Sequence, residues 1–334
     1  MTLQTSSDCG PKLRNIGLMK AILAYTSRHA LDRSGDFTTK LQEPLQYYYE
    51  TLHYVQESLR FASYTRSEEL LATVIIISTY EMLDDSRGDW QRHLKGVFGI
   101  QRSQDVNGAS GGLRQAVWWA WLRQDLWAAF RTKRACFSFW RPSKAVSDLT
   151  QDELTNRAVF LLSQAVNFAA HSESTSISIS DKAQAGQTIM AALAEWQDCL
   201  GPAFRPLPTV EPENTVFKPL WLHPPHYALA LQAYHFAKIL VTLHGPASAG
   251  FQGYMRTQRV LSQSVEVICG IAMELKDEGC QIFCSQCLFG AGLCTQDPKS
   301  RETIIALIET CGVRSGWPMA NLTRDLKAEW VRLT

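Results

Sequence analysis

The chain has 334 residues, 46% of them apolar and 19% charged, with a formal net charge of +1. That length and apolar fraction support a substantial core without disulfide or metal staples. The near-neutral balance lacks the basic patch or stripe of a nucleic-acid binder and argues against strong attraction to anionic membranes. No apolar run reaches the length of a membrane span, and residues 1–20 hold no long uninterrupted apolar core of a secretory signal. Nine cysteines, an odd number scattered through apolar segments, read as free thiols in a reducing interior. Asn321-Leu322-Thr323 then carries no glycosylation meaning.

Residues 1–11 are polar and read as a loose arm, followed by a first helix over 12–33. Leu45, Tyr48, Leu52, Val55 and Leu59 step by three and four, the spacing of an amphipathic helix. Thr65-Arg66-Ser67-Glu68-Glu69 offers a cap and early carboxylates. Leu70 to Met82 is apolar nearly all round; propensity alone allows a strand at Val74-Ile75-Ile76-Ile77, but the length and acidic start favour a buried helix. Asp84–Asp89 predicts a turn, Trp90–Arg102 a shorter helix, Ser103–Gly112 a flexible loop, and an aromatic helix follows that ends before Phe137. Thr150-x-x-Glu153 is a capping-box pattern ahead of Leu154–Ala170. His171–Ser180 is Ser-rich and reads as a mobile loop, and a helix follows over 181–200.

From Gly201 to Pro225 the chain holds seven of its thirteen prolines and reads as an irregular segment lying on the surface or over a groove. Helices resume over 227–244, 254–275, 281–293, 300–311 and 319–332. With no alternating strand pattern and no fixed-period repeat, the expected fold is all-α, a single domain of packed helices. Residues 1–40 form an N-terminal arm with the first helix, and residues 41–334 the helical domain.

Two stretches dominate this pattern. One runs Glu81-Met-Leu-Asp84-Asp85 through Trp90-Gln-Arg-His93-Leu-Lys-Gly96. The other is Trp118-Trp119-Ala-Trp121-Leu-Arg123-Gln124-Asp125-Leu126-Trp127-Ala-Ala-Phe130. Arg123 and Asp125 lie among many aromatic residues, so each sits on a solvated edge or is buried with a partner, because burying a charge alone is too costly. With Ala291-Gly292, Arg301, Gly316-Trp317-Pro318, Leu326 and Trp330 in the same order, the chain resembles the regulatory domain of fungal-specific transcription factors over roughly residues 40–334. In that family an N-terminal zinc cluster of cysteines and a basic linker read DNA. The first hundred residues here hold only Cys9, so no direct nucleic-acid contact is expected.

Candidate chemistry is sparse. Cys284-x2-Cys287-x6-Cys294 mimics half a zinc cluster, but the apolar Ile282, Phe283, Leu288 and Phe289 around it read as a packed helix with cysteines as small apolar residues, and no metal is expected. The Asp84-Asp85 pair after an apolar helix resembles the magnesium stretch of terpene cyclases, yet the second magnesium motif is not apparent and the simpler reading is a helix end turning into solvent. No Gly-x-Ser-x-Gly elbow, glycine-rich phosphate loop or His-Glu-x-x-His occurs. What remains are polar groups beside apolar surface. The catalytic candidates are His226, Tyr227, Arg123 and His93, able to donate or exchange a proton or hydrogen bond. Trp221, His223, Trp118 and His235 are the substrate-binding candidates, each weighed against a purely structural place in the core or on a surface loop.

Two functions stay open. The resemblance implies a regulatory module that binds a metabolite or protein partner. Some stand-alone proteins similar to this family act instead as cyclases in secondary metabolism, among them hetero-Diels–Alderases joining a tropolone quinone methide to a humulene-type sesquiterpene. A pericyclic step needs no cofactor, only an apolar cavity that holds two partners and one or two hydrogen-bond donors. The missing zinc cluster tips the expectation toward this cofactor-free enzyme, cytoplasmic, acting on an apolar small molecule, with no membrane partner and a homodimer left open. The regulator would be nuclear.

Overall fold

The computed structural model describes residues 15–34, 42–62, 66–83, 89–172, 178–210, 215–246 and 250–332, with the side chains at 32, 34, 89–93 and 172 excepted. Among them the regular structure is helical, and one isolated antiparallel bridge joins Leu207 to Trp221. The all-α architecture expected from the sequence is the one present. Residues 84–88 of the turn expected over Asp84–Asp89, residues 173–177 of the Ser-rich loop and the boundary at residue 40 fall outside the described residues.

The helices gather into two compact units. The first comprises residues 1–125, 137–142 and 316–318. It contains α1 (Ile16–Ser34), α2 (Gln42–Leu59), α3 (Glu68–Leu83), α4 (Asp89–Ser103) and the start of α5 (Gly112–Arg131), of which residues 112–125 belong here. Helix α3 packs against α1, α2 and α4 and is buried nearly all round through Leu70, Leu71, Val74, Ile75, Ile77, Tyr80 and Leu83. Its β-branched run is helical because the start is capped and charged: Ser67 Oγ accepts the Leu70 N–H at 3.3 Å, and Glu68 and Glu69 lie at the positive end of the helix dipole. Tertiary burial then overrides strand propensity. Polar side chains fix the register. Tyr48 donates to the buried Glu81 at 2.6 Å while stacking on Tyr80, and Gln124 of α5 bridges Ser78 and Thr79 at 3.0 and 2.7 Å.

The second unit comprises residues 126–136, 143–315 and 319–334. Its helices are the end of α5, then α6 (Gln151–Ser172), α7 (Ile179–Asp198), α8 (Pro225–His244), α9 (Gly250–Glu274), α10 (Gln281–Leu293), α11 (Pro298–Ser315) and α12 (Ala320–Arg332). Helix α8 is central, packing against α6, α7, α9 and α10. The capping box forms as its pattern predicts: Thr150 N–H donates to Glu153 at 2.9 Å and Glu153 N–H to Thr150 Oγ1 at 3.2 Å. The fully buried Trp196 of α7 donates its indole N–H to the Leu154 carbonyl of α6 at 2.8 Å. Arg314 reaches the carbonyls of Ala272 and Leu275 at the end of α9, whose unpaired acceptors it satisfies.

The late motif residues meet in one cluster. Trp330 donates to the Gly292 carbonyl at 2.8 Å, and Arg301 lies 4.8 Å from the centre of the Trp330 ring. A Cβ on Gly292 would stand 2.6 Å from Leu326 Cδ2. These residues therefore hold α10, α11 and α12 together.

Candidate functional site

In the first unit, aromatic residues from α4, α5 and the segment 137–142 build a walled cleft of about 340 Å³. Its main lining is Phe98, Gln101, Val106, Trp118, Phe139 and Trp140. Trp118 meets Trp140 edge to face at 4.8 Å, and Phe98 stacks on Trp121 at 5.5 Å and on Phe137 at 5.9 Å. The two indoles converge because position 108 is glycine: a Cβ there would lie 2.8 Å from Trp140 and 2.9 Å from Trp118. Trp119 donates to the Gly108 carbonyl and pins that loop. Phe139 is 82% exposed, while the Gln101 side chain is buried and neither its Nε2 nor its Oε1 meets a hydrogen-bond partner. Leaving such a group buried and unpaired costs about 1–3 kcal/mol. Arg102 and Asp105 add one charge of each sign to the lining.

Of the residues singled out from sequence, Trp118 belongs to this cleft. Phe98, Gln101 and Phe139 were missed. Helical spacing marks Phe98 as core, Phe139 lies in an irregular segment that gives no periodicity, and a glutamine on an amphipathic helix carries no signal of burial. Asp125 is fully buried and accepts the Phe137 N–H at 2.7 Å, which ties the 137–142 segment to α5, whereas Arg123 is half-buried on the same helix and does not line the cleft. His93 lies within α4, and its side chain is outside the described residues.

The group gathered around the proline-rich segment divides in the second unit. Trp221 and His223, both exposed, line a cleft of about 390 Å³ with Leu222, Ala228, Ile271 and Glu274. His226 and Tyr227 do not line it. They converge on Asp152 in the first turn of α6, His226 Nε2 at 3.1 Å and the Tyr227 hydroxyl donating at 2.9 Å. The Tyr227 ring stacks on Phe204 at 4.4 Å. The imidazole and then the phenol hydrogen bond hold the Asp152 carboxyl below its ordinary range, and burial together with the carboxylate raises the Tyr227 phenol. A phenol raised in this way stays protonated and serves as a donor, not a base. His235, farther along α8, meets Ser264 Oγ at 3.2 Å, and burial, with Lys238 nearby, pushes its imidazole down to about 3. It is neutral near pH 7 and serves packing.

Cys284 and Cys287 are fully buried on α10. The hydrogen bond with Cys311 and burial raise the Cys284 thiol, and burial raises that of Cys287, so neither is poised as a thiolate ligand. Asp84 and Asp85 lie outside the described residues.

Comparison with known proteins finds similarity to two sources. Residues 4–112 match the family described as the fungal specific transcription factor domain. The transcription activator AMTR1 of Alternaria alternata is 24% identical over 343 aligned residues, which cover 80% of this chain and 44% of that protein. The chain thus spans less than half the length of the curated relative it matches. No solved structure matches. The family match falls on the first third of the chain, whereas the motifs read from sequence run on to Trp330. Residues 4–112 are thus similar to the fungal specific transcription factor domain, and a larger share of the chain is similar to a transcription activator.

Proposed function

We propose that this chain is the regulatory part of a transcription-factor-like protein, working in the nucleus and answering to a bound metabolite or a protein partner. The observation that carries this reading is the match of residues 4–112 to a transcription factor domain, joined by the similarity to a transcription activator along most of the chain. Among the described residues no helix is long and apolar enough to cross a membrane.

The cyclase reading loses its main premise. It rested on the lack of a zinc cluster in this sequence, and that lack decides nothing when the chain spans 44% of its relative. Two of the residues expected to be catalytic, His226 and Tyr227, bind Asp152 and do not line the cleft beside them.

A gene deletion followed in one culture tests the proposal, with transcripts of neighbouring genes and extracted metabolites measured together. Transcripts that fall together are the expected result. Steady transcripts with one accumulating intermediate would overturn the regulator and restore an enzyme.

A further inference from the structure

We propose that the cleft beside the proline-rich segment in the second unit binds a small organic cation, a protonated primary amine on an apolar body. The cleft measures about 390 Å³, and an indole, carboxylates and aliphatic side chains share its lining. Trp221 keeps 44% of its surface exposed, and among the described residues its ring meets no other ring, no cation and no acceptor for its N–H. Glu274, half-buried, is the last residue of α9 and lines the same cleft. Among the described residues no hydrogen-bond donor or ion-pair partner reaches its carboxylate. Arg314 binds the carbonyls of Ala272, Met273 and Leu275 at this helix end and leaves that of Glu274 without a donor. The acceptors of Glu274 are therefore open, at the negative end of the α9 dipole. An exposed aromatic face and an unpaired carboxylate in one cleft are what an alkylammonium recognises, through cation–π attraction and charge-assisted hydrogen bonds.

The cleft is built by contacts that hold the backbone of the proline-rich segment and leave the indole out. The Leu220 N–H donates to the Gly270 carbonyl at 2.9 Å, and the Leu207 N–H donates to the Trp221 carbonyl at 2.7 Å. Glycine at 270 lets the segment cross α9 at close range, since a Cβ there would collide with the Lys218 carbonyl oxygen. Leu222 is buried where Trp221 is exposed, the alternation of an extended segment. Leu222, Ala228 and Ile271 supply apolar wall for the body of the ligand. The charged side chains of the lining decide the sign it carries. Glu274 and Asp277 outnumber Lys276, and Glu274 is half-buried where Lys276 is exposed, so the Glu274 carboxylate acts through less water than the ammonium. As the sensor of a regulatory module this site rests on the function proposed above, to which it adds the class of the metabolite. As a binding site it stands apart from it.

Isothermal titration of the purified full chain tests the site with 2-phenylethylamine against 2-phenylethanol, its neutral counterpart, and phenylacetate, its anionic one. The wild-type protein is expected to bind the amine at least tenfold more tightly than either comparator. Glu274→Gln, which keeps the shape and removes the charge, should erase most of that preference, and Trp221→Ala should weaken the amine severalfold. Neither side chain is fully buried, and an unchanged urea midpoint checks that both variants fold. Equal affinity of the wild-type protein for all three probes, no binding of any, or a preference for phenylacetate, which Lys276 and His223 would give, overturns the proposal without recourse to a variant. A preference that survives intact in Glu274→Gln, or undiminished amine affinity in Trp221→Ala, overturns it as well. Because binding is read on purified protein and regulation on transcripts, amine selectivity with unaltered transcripts in the deletion strain would refute the regulator and leave the site.

Discussion

Gly290 on α10 faces Phe236 on α8, and Gly290→Ala measures how tightly these two helices are packed. A Cβ added there would overlap three atoms of the Phe236 ring, the farthest of them, Cζ, at 2.7 Å. Ordinary carbon–carbon contact begins near 3.5 Å, so even that atom falls short by about 1 Å. The ring has little room to yield, being 1% exposed and held edge-on by Phe130 at 5.2 Å. Overpacking of a well-filled core costs about 1–3 kcal/mol, and the overlap with three ring atoms puts this case near the top of that range. Alanine returns about 1 kcal/mol through its better helix propensity. The expected net loss is about 2 kcal/mol, read as a lower midpoint in urea at unchanged slope. Phe236→Leu should relieve the overlap, so that in a double-mutant cycle the pair loses less than the sum of its members by about 1 kcal/mol. If Gly290→Ala is as stable as the wild type, or if the two substitutions are strictly additive, the helices do not pack as described.

Other expectations follow from individual contacts. Trp196→Phe leaves the Leu154 carbonyl without its indole donor and opens space between α6 and α7, and should cost about 2–3 kcal/mol in chemical denaturation. Thr150→Ala removes one half of the capping box and should cost about 1 kcal/mol by the same measurement. Lys144 and then the Thr150 backbone lower the Glu153 carboxyl from 4.5 to about 2. This stabilising contribution is present above about pH 4.5 and is lost as pH falls toward 2, so Glu153→Gln should flatten the acid limb of a stability–pH curve. His235 works in the same direction for a different reason. It is neutral when folded down to about pH 3 but protonates near 6.5 when unfolded, so stability falls on acidification below 6.5, and His235→Gln should remove about 2 kcal/mol of the loss between pH 7 and pH 5. His226→Ala should shift stability by less than about 0.5 kcal/mol, because His226 and Asp152 are both exposed.

Helix positions were legible in the sequence because helix-forming signals are local. The i, i+3, i+4 spacing from Leu45 to Leu59, the Thr150–Glu153 capping box and the proline-dense break before α8 each act within a few residues, and each lies where its pattern puts it. The ordered late motifs were legible for a related reason. Ala291-Gly292, Arg301, Leu326 and Trp330 hold three helices in one packed cluster, and packing of that kind imposes residue types that can be read off the chain.

The functional surface was less legible because it depends on where helices meet. Trp118 was recognisable by type, but its neighbours Phe98, Phe139 and Trp140 come from separate stretches of chain. The histidines near the proline-rich segment, close in sequence, point different ways: a helix turns about 100° per residue, which sends Tyr227 to Asp152 and His235 to Ser264, while Trp221 and His223 stay with the irregular segment before it. Gln101 is the sharpest case. Its sequence neighbours give no hint that a polar side chain is buried there, and only the closure of α4, α5 and the 137–142 segment around it removes water from its amide. Composition and periodicity determined the helices. The tertiary structure alone decided which polar group lies in a cleft without a partner, because desolvation is a property of all the elements that enclose a site and of no one of them.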